Sequence, residues 1–108
     1  MTLARTITLA HGFTQTSRSW RHIIQLLAHS GYDSADINAV DLPGHGDASS
    51  LQTDLWGAAD HLVAAGRTGT YVGYSMGGRV ALHAALAHPK AVDRLVLIGA
   101  TPGIVGDT

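Results

Sequence analysis

YVGYSMGGRV, residues 71–80, is the stretch of sequence from which the fold of this chain can be worked out. It begins as a short apolar segment, passes through the pattern Gly-x-Ser-x-Gly, and continues into an alanine-rich segment. This order predicts a strand, a very tight turn and a helix, with Ser75 at the apex of the turn. Gly73 and Gly77 meet a steric need, because the end of the strand and the first helical turn come too close for a side chain.

The rest of the chain repeats this alternation of strand and helix. β-Branched and apolar runs that are typical of strands occur four times, at residues 6–10, 37–42, 70–74 and 94–100. Helical patterns lie between them, at residues 18–30, 51–63 and 76–88. Because helix-length connections join parallel strands, the order predicts an α/β fold, a parallel sheet of four strands with helices on both faces.

Length and composition limit what such a chain can do. Its 108 residues allow one domain, and 45% hydrophobic with 14% charged residues is typical of a well-packed globular chain. Seven basic side chains nearly balance eight acidic ones, which gives no indication of a nucleic-acid or membrane surface. The chain has no cysteine, and no apolar run approaches about 18 residues. We therefore expect a cytoplasmic protein with neither cofactor nor metal.

The strand ends should bring three loops together. Ligands of open α/β sheets bind at the carboxyl edge, where residues 11–13, 44–46 and 74–76 would meet. A serine hydroxyl is a weak nucleophile that needs a base, a group to orient that base, and donors for the oxyanion. The backbone N–H groups of Phe13 and Met76 would supply those donors beside Ser75. The alternative is that Ser75 only caps the helix that follows it.

Three segments resemble, in order and spacing, the landmarks of the α/β-hydrolase superfamily: HGF at 11–13, DLPGHG at 41–46 and GYSMGGR at 73–79. The resemblance covers essentially the whole chain, so the sheet is expected to be the N-terminal part of that fold. GYSMGGR, together with TPG at 101–103, is similar to the menaquinone-pathway enzyme 2-succinyl-6-hydroxy-2,4-cyclohexadiene-1-carboxylate synthase. Carboxylesterases and C–C bond hydrolases share most of these residues.

The resemblance implies a role for each matching residue near the serine. Ser75 would be the nucleophile or base, and Phe13 and Met76 would form the oxyanion hole. In a synthase-like enzyme, Arg79 and Tyr74 would help to bind an anionic small-molecule substrate, because the planar guanidinium pairs with carboxylates. The alternative for Arg79 is a structural ion pair or a solvated head group.

The histidines leave the triad open. The resemblance makes His11, with Gly12, a structural support of the site, and His45 a part of the turn that contains it. The superfamily's acid and base follow the serine in the chain. The last histidine of the chain, His88, lies about 20 Å along the helix from Ser75 and cannot be the base. His11 and His45 lie at the same edge of the sheet, and either is an alternative as a surrogate base.

The missing acid and base predict an incomplete enzyme. Residues 1–108 would be a single α/β-hydrolase core portion without the cap domain and the later strands. Residues 95–98 would then form an exposed apolar edge, so we expect self-association or association with the missing C-terminal half. The competing hypothesis is a non-catalytic hydrolase-like module that associates through that edge. A nucleotide-binding domain is disfavoured, because the phosphate-binding pattern Gly-x-x-x-x-Gly-Lys is absent.

Overall fold

The computed structural model describes residues 6–13, 15–46 and 53–99 of the 108. Within these residues, four strands alternate with three α-helices: β1 (Ile7–Ala10), α1 (Arg21–His29), β2 (Ile37–Val40), α2 (Leu55–Ala65), β3 (Gly69–Tyr74), α3 (Met76–Ala87) and β4 (Val92–Ile98). Short 3₁₀ turns at Ser17–Trp20 and Ser34–Asp36 precede α1 and β2. The predicted element ends at residues 51 and 100 lie outside the described residues.

The strands form one parallel sheet in the order β2-β1-β3-β4. The predicted four-stranded parallel sheet is therefore confirmed. Ala10 at the end of β1 pairs with Val40 of β2 and with Gly73 of β3, and Tyr74 pairs with Ile98 of β4. Because the strands end level with one another, the loops that follow them meet at one edge of the sheet.

Helices cover both faces of the sheet, as the alternation predicted. On one face, α2 and α3 bury a cluster that includes Leu62, Tyr71 and Val80. On the other face, Leu9 and Trp20 pack together with the apolar side of α1. Successive side chains of β1 point to opposite faces, which is why a short strand with no polar face is stable here.

The element ends differ from the predicted ones for local reasons. The first predicted turn of α1 is a 3₁₀ turn that the Thr16 hydroxyl caps through the N–H of Arg18. β2 ends at Val40 rather than residue 42, because the N–H of Leu42 turns to a histidine ring instead of the sheet. β4 begins two residues before the predicted start, where Val92 pairs with Gly69. None of the helices in the described part has the length and apolar character needed to cross a membrane.

β4 lies at an edge of the sheet and is its most exposed strand. Its apolar side chains Val96, Leu97 and Ile98 are 44%, 37% and 46% exposed, whereas Leu95 packs against the core. Among the described residues, β3 is the one strand that pairs with it. The exposed apolar edge predicted at residues 95–98 is thus present over its last three residues.

Candidate active site

Ser75 lies at a sharp turn between β3 and α3, with φ 54° and ψ −114°. It is the one non-glycine residue of the described chain with a positive φ. Its N–H donates to the carbonyl of Ile98 at 2.9 Å, and its carbonyl accepts from the N–H of Gly78 at 3.0 Å. A backbone of this kind costs about 1–3 kcal/mol and persists only where the surroundings impose it. The predicted strand, turn and helix around Ser75 are confirmed.

The Ser75 side chain does not cap α3. It makes no hydrogen bond to the first turn of the helix, although serine is among the best capping residues. The alternative of a simple helix cap is therefore wrong. The side chain is half-buried and not used for capping, and the turn places Ser75 at the carboxyl edge of the sheet.

The two glycines of the motif are required, but against different neighbours. A Cβ on Gly73 would collide with the backbone of Gly77 and Gly78, as expected for the strand and the first helical turn. A Cβ on Gly77 would collide with the carbonyl oxygens of Ala10 and His11, at the end of β1. The first turn of α3 therefore presses against the start of the β1–α1 loop, which we define as residues 11–16.

His11 anchors the start of the β1–α1 loop and is fully buried. Its Nδ1–H donates to the carbonyl of Gly12 at 2.8 Å, and its Nε2 accepts from the N–H of Leu42 at 3.0 Å. Burial lowers the pKa of His11, which favours the neutral ring that this pattern needs. Because both ring nitrogens are occupied, His11 cannot be the surrogate base.

Further contacts hold the middle of the loop. The N–H of Gly12 donates to Oε1 of Gln15 at 2.9 Å, and a Cβ on Gly12 would lie 3.0 Å from the ring of Tyr74. Phe13 is 69% exposed, and its ring meets that of His45 edge to face at 5.7 Å. The middle of the loop thus packs against Tyr74, the residue before Ser75, and the aromatic ring of Phe13 lies at the surface.

His45 belongs to the turn after β2. Its Nδ1–H donates to the carbonyl of Pro43 at 3.1 Å, its backbone N–H donates to the carbonyl of Leu42 at 3.0 Å, and its ring lies 5.0 Å from that of His11. These contacts fit the expected part of His45 in shaping the turn.

Tyr74 and Arg79 lie on different sides of the sheet. The Tyr74 ring is on the α1 side, where it lines a cavity of about 120 Å³ together with Trp20 and Ile23. Arg79 is exposed on α3, one turn after Ser75, and makes no ion pair with any described residue. The structural ion pair offered as the alternative for Arg79 is thus not found in the described part of the chain.

Three further histidines among the described residues make hydrogen bonds of their own. Nδ1–H of His83 in α3 donates to the carbonyl of Arg79 at 2.7 Å. His88, just beyond the end of α3, pairs with Asp60 of α2 at 2.7 Å. His61 donates from Nε2 to the carbonyl of Asp41 at 3.1 Å. The described residues include no group of three side chains that could hold a metal ion.

Asp41 and Gln15 were not among the predicted site residues. Both make hydrogen bonds that define the two loops, yet neither had been assigned a role. For Asp41 a signal existed, since it opens the segment DLPGHG that carries part of the resemblance. Gln15 lies outside all three motifs, so no pattern pointed to it.

Comparison with known proteins agrees with this geometry. The model of the alpha/beta hydrolase fold family matches residues 5–108. The chain is 32% identical over 101 residues to a pimeloyl-(acyl-carrier protein) methyl ester esterase of Nitrosomonas europaea, covering 92% of this chain and 38% of the esterase. It is 32% identical over 100 residues to a 2-succinyl-6-hydroxy-2,4-cyclohexadiene-1-carboxylate synthase of Enterobacter, covering 87% of this chain and 37% of the synthase.

Solved structures show the same likeness. A probable hydrolytic enzyme from Pseudomonas aeruginosa superimposes with a TM-score of 0.76 at 32% identity, over 89% of this chain and 32% of that enzyme. The chain therefore spans less than half the length of the proteins named here.

Proposed function

Because the chain belongs to the alpha/beta hydrolase fold family, we propose that it carries the nucleophile and the oxyanion-binding loop of a serine-dependent hydrolase. The observation that carries the proposal is the conformation of Ser75, which has a positive φ and no capping bond. A strained serine between a strand and a helix is the arrangement that exposes a nucleophile at the top of an α/β sheet.

The proposed reaction is acyl transfer. Oγ of Ser75 attacks the carbonyl carbon of an ester, and the carbonyl π electrons move onto the oxygen. The N–H groups of Met76 and Phe13 donate to that oxyanion, each contributing about 3–4 kcal/mol to transition-state stabilisation. The Met76 N–H suits the task, because the first N–H groups of a helix have no carbonyl partner within it. A general base takes the serine proton and passes it to the alkoxy oxygen as the ester C–O bond breaks, which leaves an acyl-enzyme and the alcohol. Water then attacks the acyl-enzyme, which releases the acid and restores Ser75.

The relatives support an ester, acyl or C–C bond substrate. One is named for a methyl ester and another for a cyclohexadiene carboxylate. We infer that the substrate is a small anionic molecule whose carboxylate pairs with Arg79. The position of this arginine supports the inference, since it is exposed one turn from Ser75 and pairs with no described carboxylate.

The test is covalent labelling with a fluorophosphonate at mildly alkaline pH, where a missing base matters least. The serine oxygen bonds to phosphorus, fluoride leaves, and the hydroxyl proton goes to solvent. We expect a single adduct on Ser75, formed at least about tenfold faster than on any other serine, since an oxyanion site and binding accelerate reaction even without a complete triad. Ser75→Ala should abolish the adduct, and the remote control Ser34→Ala should not. Labelling without preference for Ser75 would overturn the proposal.

A second candidate function is supported by β4. Its exposed apolar side chains at the sheet edge favour a module that associates through strand pairing, with a second copy or with a polypeptide that completes the sheet. Light scattering should then show concentration-dependent assembly that Leu97→Lys suppresses. A stable monomer at high concentration, with no second polypeptide bound, would contradict this candidate.

A further inference from the structure

The loop after β2, residues 41–46, is bonded to both ends of the β1–α1 loop. At the start of the β1–α1 loop, the N–H of Leu42 donates to the ring of His11 at 3.0 Å. Just beyond its end, the N–H of Ser17 donates to Oδ1 of Asp41 at 2.7 Å. Asp41 and Leu42, which are neighbours in the loop after β2, thus hold the two ends of the β1–α1 loop. Phe13 lies between these two ends in the chain.

The hydrogen bond that Asp41 accepts differs in sequence range from those that Asp33 and Asp54 accept. Asp33 accepts from the N–H of Ala35 at 2.9 Å, and Asp54 accepts from that of Gly57 at 2.8 Å. Those two bonds are local, two and three residues along the chain, and each only begins its own helix. Asp41 accepts from a residue 24 positions away, so it joins two different loops at a point remote from the bond between Leu42 and His11.

Gly46 makes room for the Asp41 carboxylate. Gly46 has φ 51°, and a Cβ built on it would lie 2.5 Å from Cγ of Asp41 and 2.6 Å from each carboxylate oxygen. Any other residue at position 46 would therefore push the carboxylate away from the N–H of Ser17. Glycine is thus required at position 46 both for the positive φ and for the space that the Asp41 carboxylate occupies.

We propose that Asp41, seated against Gly46, is a positioning residue that holds the Ser17 end of the β1–α1 loop and so places the amide of Phe13. Asp41 acts through the loop and touches no substrate. That the Phe13 amide binds an oxyanion rests on the proposed function. That Asp41 holds the β1–α1 loop rests on the hydrogen bonds alone.

The experiment compares Asp41→Ala with Asp33→Ala, which removes a cap of the same chemistry from a remote 3₁₀ turn. Amide hydrogen exchange is measured for residues 11–17 and is divided by the exchange of β3, so that a general loss of stability cancels. We expect Asp41→Ala to raise this ratio at least about tenfold and to slow fluorophosphonate labelling of Ser75 about tenfold, because small misplacements at a site are costly. Asp33→Ala should change neither quantity.

Two further variants sharpen the test. Asp41→Asn retains an oxygen that can accept from Ser17, so it should restore most of the protection. If Asp41→Ala does not fold, Gly46→Ala serves as the test variant. Gly46→Ala should raise the exchange ratio as Asp41→Ala does, but should add nothing to it in the Asp41→Ala background. Equal ratios for Asp41→Ala and Asp33→Ala, or additive effects of the Gly46 and Asp41 variants, would overturn the proposal. An unlabelled Ser75 in the unmodified chain would overturn the proposed function alone, since the exchange ratio would still decide the loop.

Discussion

Nε2 of His11 accepts a hydrogen bond from the backbone N–H of Leu42 at 3.0 Å. Because Nδ1–H of the same ring donates to the carbonyl of Gly12, the ring has to be neutral, with its proton on Nδ1. A histidine beside the proposed active site thus ties two loops together, and it has no nitrogen left with which to accept a proton from Ser75.

The stability of the chain should fall in mild acid because of His11. Burial lowers the pKa of this ring below its ordinary value of 6.5, an effect to which His45 adds and which Asp41 and the carbonyl of Gly12 oppose. As pH falls, the ring is therefore protonated in the unfolded chain at a higher pH than in the folded chain. The free energy of unfolding falls from about pH 6.5 down to the pKa of the folded state, by at most about 1.4 kcal/mol per pH unit. Urea unfolding at a series of pH values measures this fall in the free energy of unfolding.

The control for this pH dependence is the exposed His22. His11→Gln should lower stability at neutral pH and flatten its decline between about pH 6.5 and 5.5. His22→Gln should leave that decline unchanged. The assignment to His11 would be wrong if His11→Gln retained the full slope.

Gly77→Ala should destabilise the fold, by about 1–3 kcal/mol as in other overpacked sites. The added Cβ meets two backbone carbonyl oxygens, which cannot rotate away. Gly57→Ala in α2 is the matched control, because the nearest atom to its new Cβ is the side chain of the exposed Thr53. Its gain in helix propensity should make it neutral or up to about 1 kcal/mol more stable. Chemical denaturation measures the free energy of unfolding of both variants. Equal destabilisation of the two would refute the close approach of α3 to β1.

Ser75→Gly should raise stability while abolishing labelling. Glycine accepts the positive φ of this position at little cost, so we expect a net gain of about 1 kcal/mol after its greater chain entropy is subtracted. Ser19→Gly, at an exposed position of the 3₁₀ turn, should instead lower stability. Thermal and urea unfolding measure both, and a loss at position 75 equal to that at position 19 would show that the turn is not strained.

Arg79 should recognise a carboxylate. A small dicarboxylate added in excess should protect Ser75 from the fluorophosphonate, and Arg79→Ala should weaken this protection about tenfold, since a charge-assisted bidentate pair is lost. Arg94→Ala, which removes another exposed arginine from β4, is the control. If the dicarboxylate protected Ser75 equally well in Arg79→Ala, Arg79 would not bind the carboxylate, and its guanidinium would be a solvated head group.

Much of the fold could be predicted because its signals are local. Apolar runs and helical periodicity located the four strands and three α-helices of the described residues, and the Gly-x-Ser-x-Gly pattern located the turn at Ser75. The element ends were less accurate, because caps such as Thr16 and the departure of Leu42 from the sheet depend on individual hydrogen bonds. The substrate site expected to contain Tyr74 and Arg79 stays a prediction: Tyr74 lines a cavity on the α1 side of the sheet, and Arg79 lies on α3.

By itself, then, the sequence determined the order of strands and helices and the serine at the tight turn, since both follow from side-chain pattern and backbone sterics within a few residues. The parallel arrangement of the strands follows from the helix-length connections between them. Tertiary structure alone decided that Asp41 meets Ser17 from 24 positions away, and that Gly77 packs against the carbonyls of β1 rather than β3. It also decided that both nitrogens of His11 are occupied. These contacts join residues from different loops, and no local pattern specifies which groups meet when the strand ends converge.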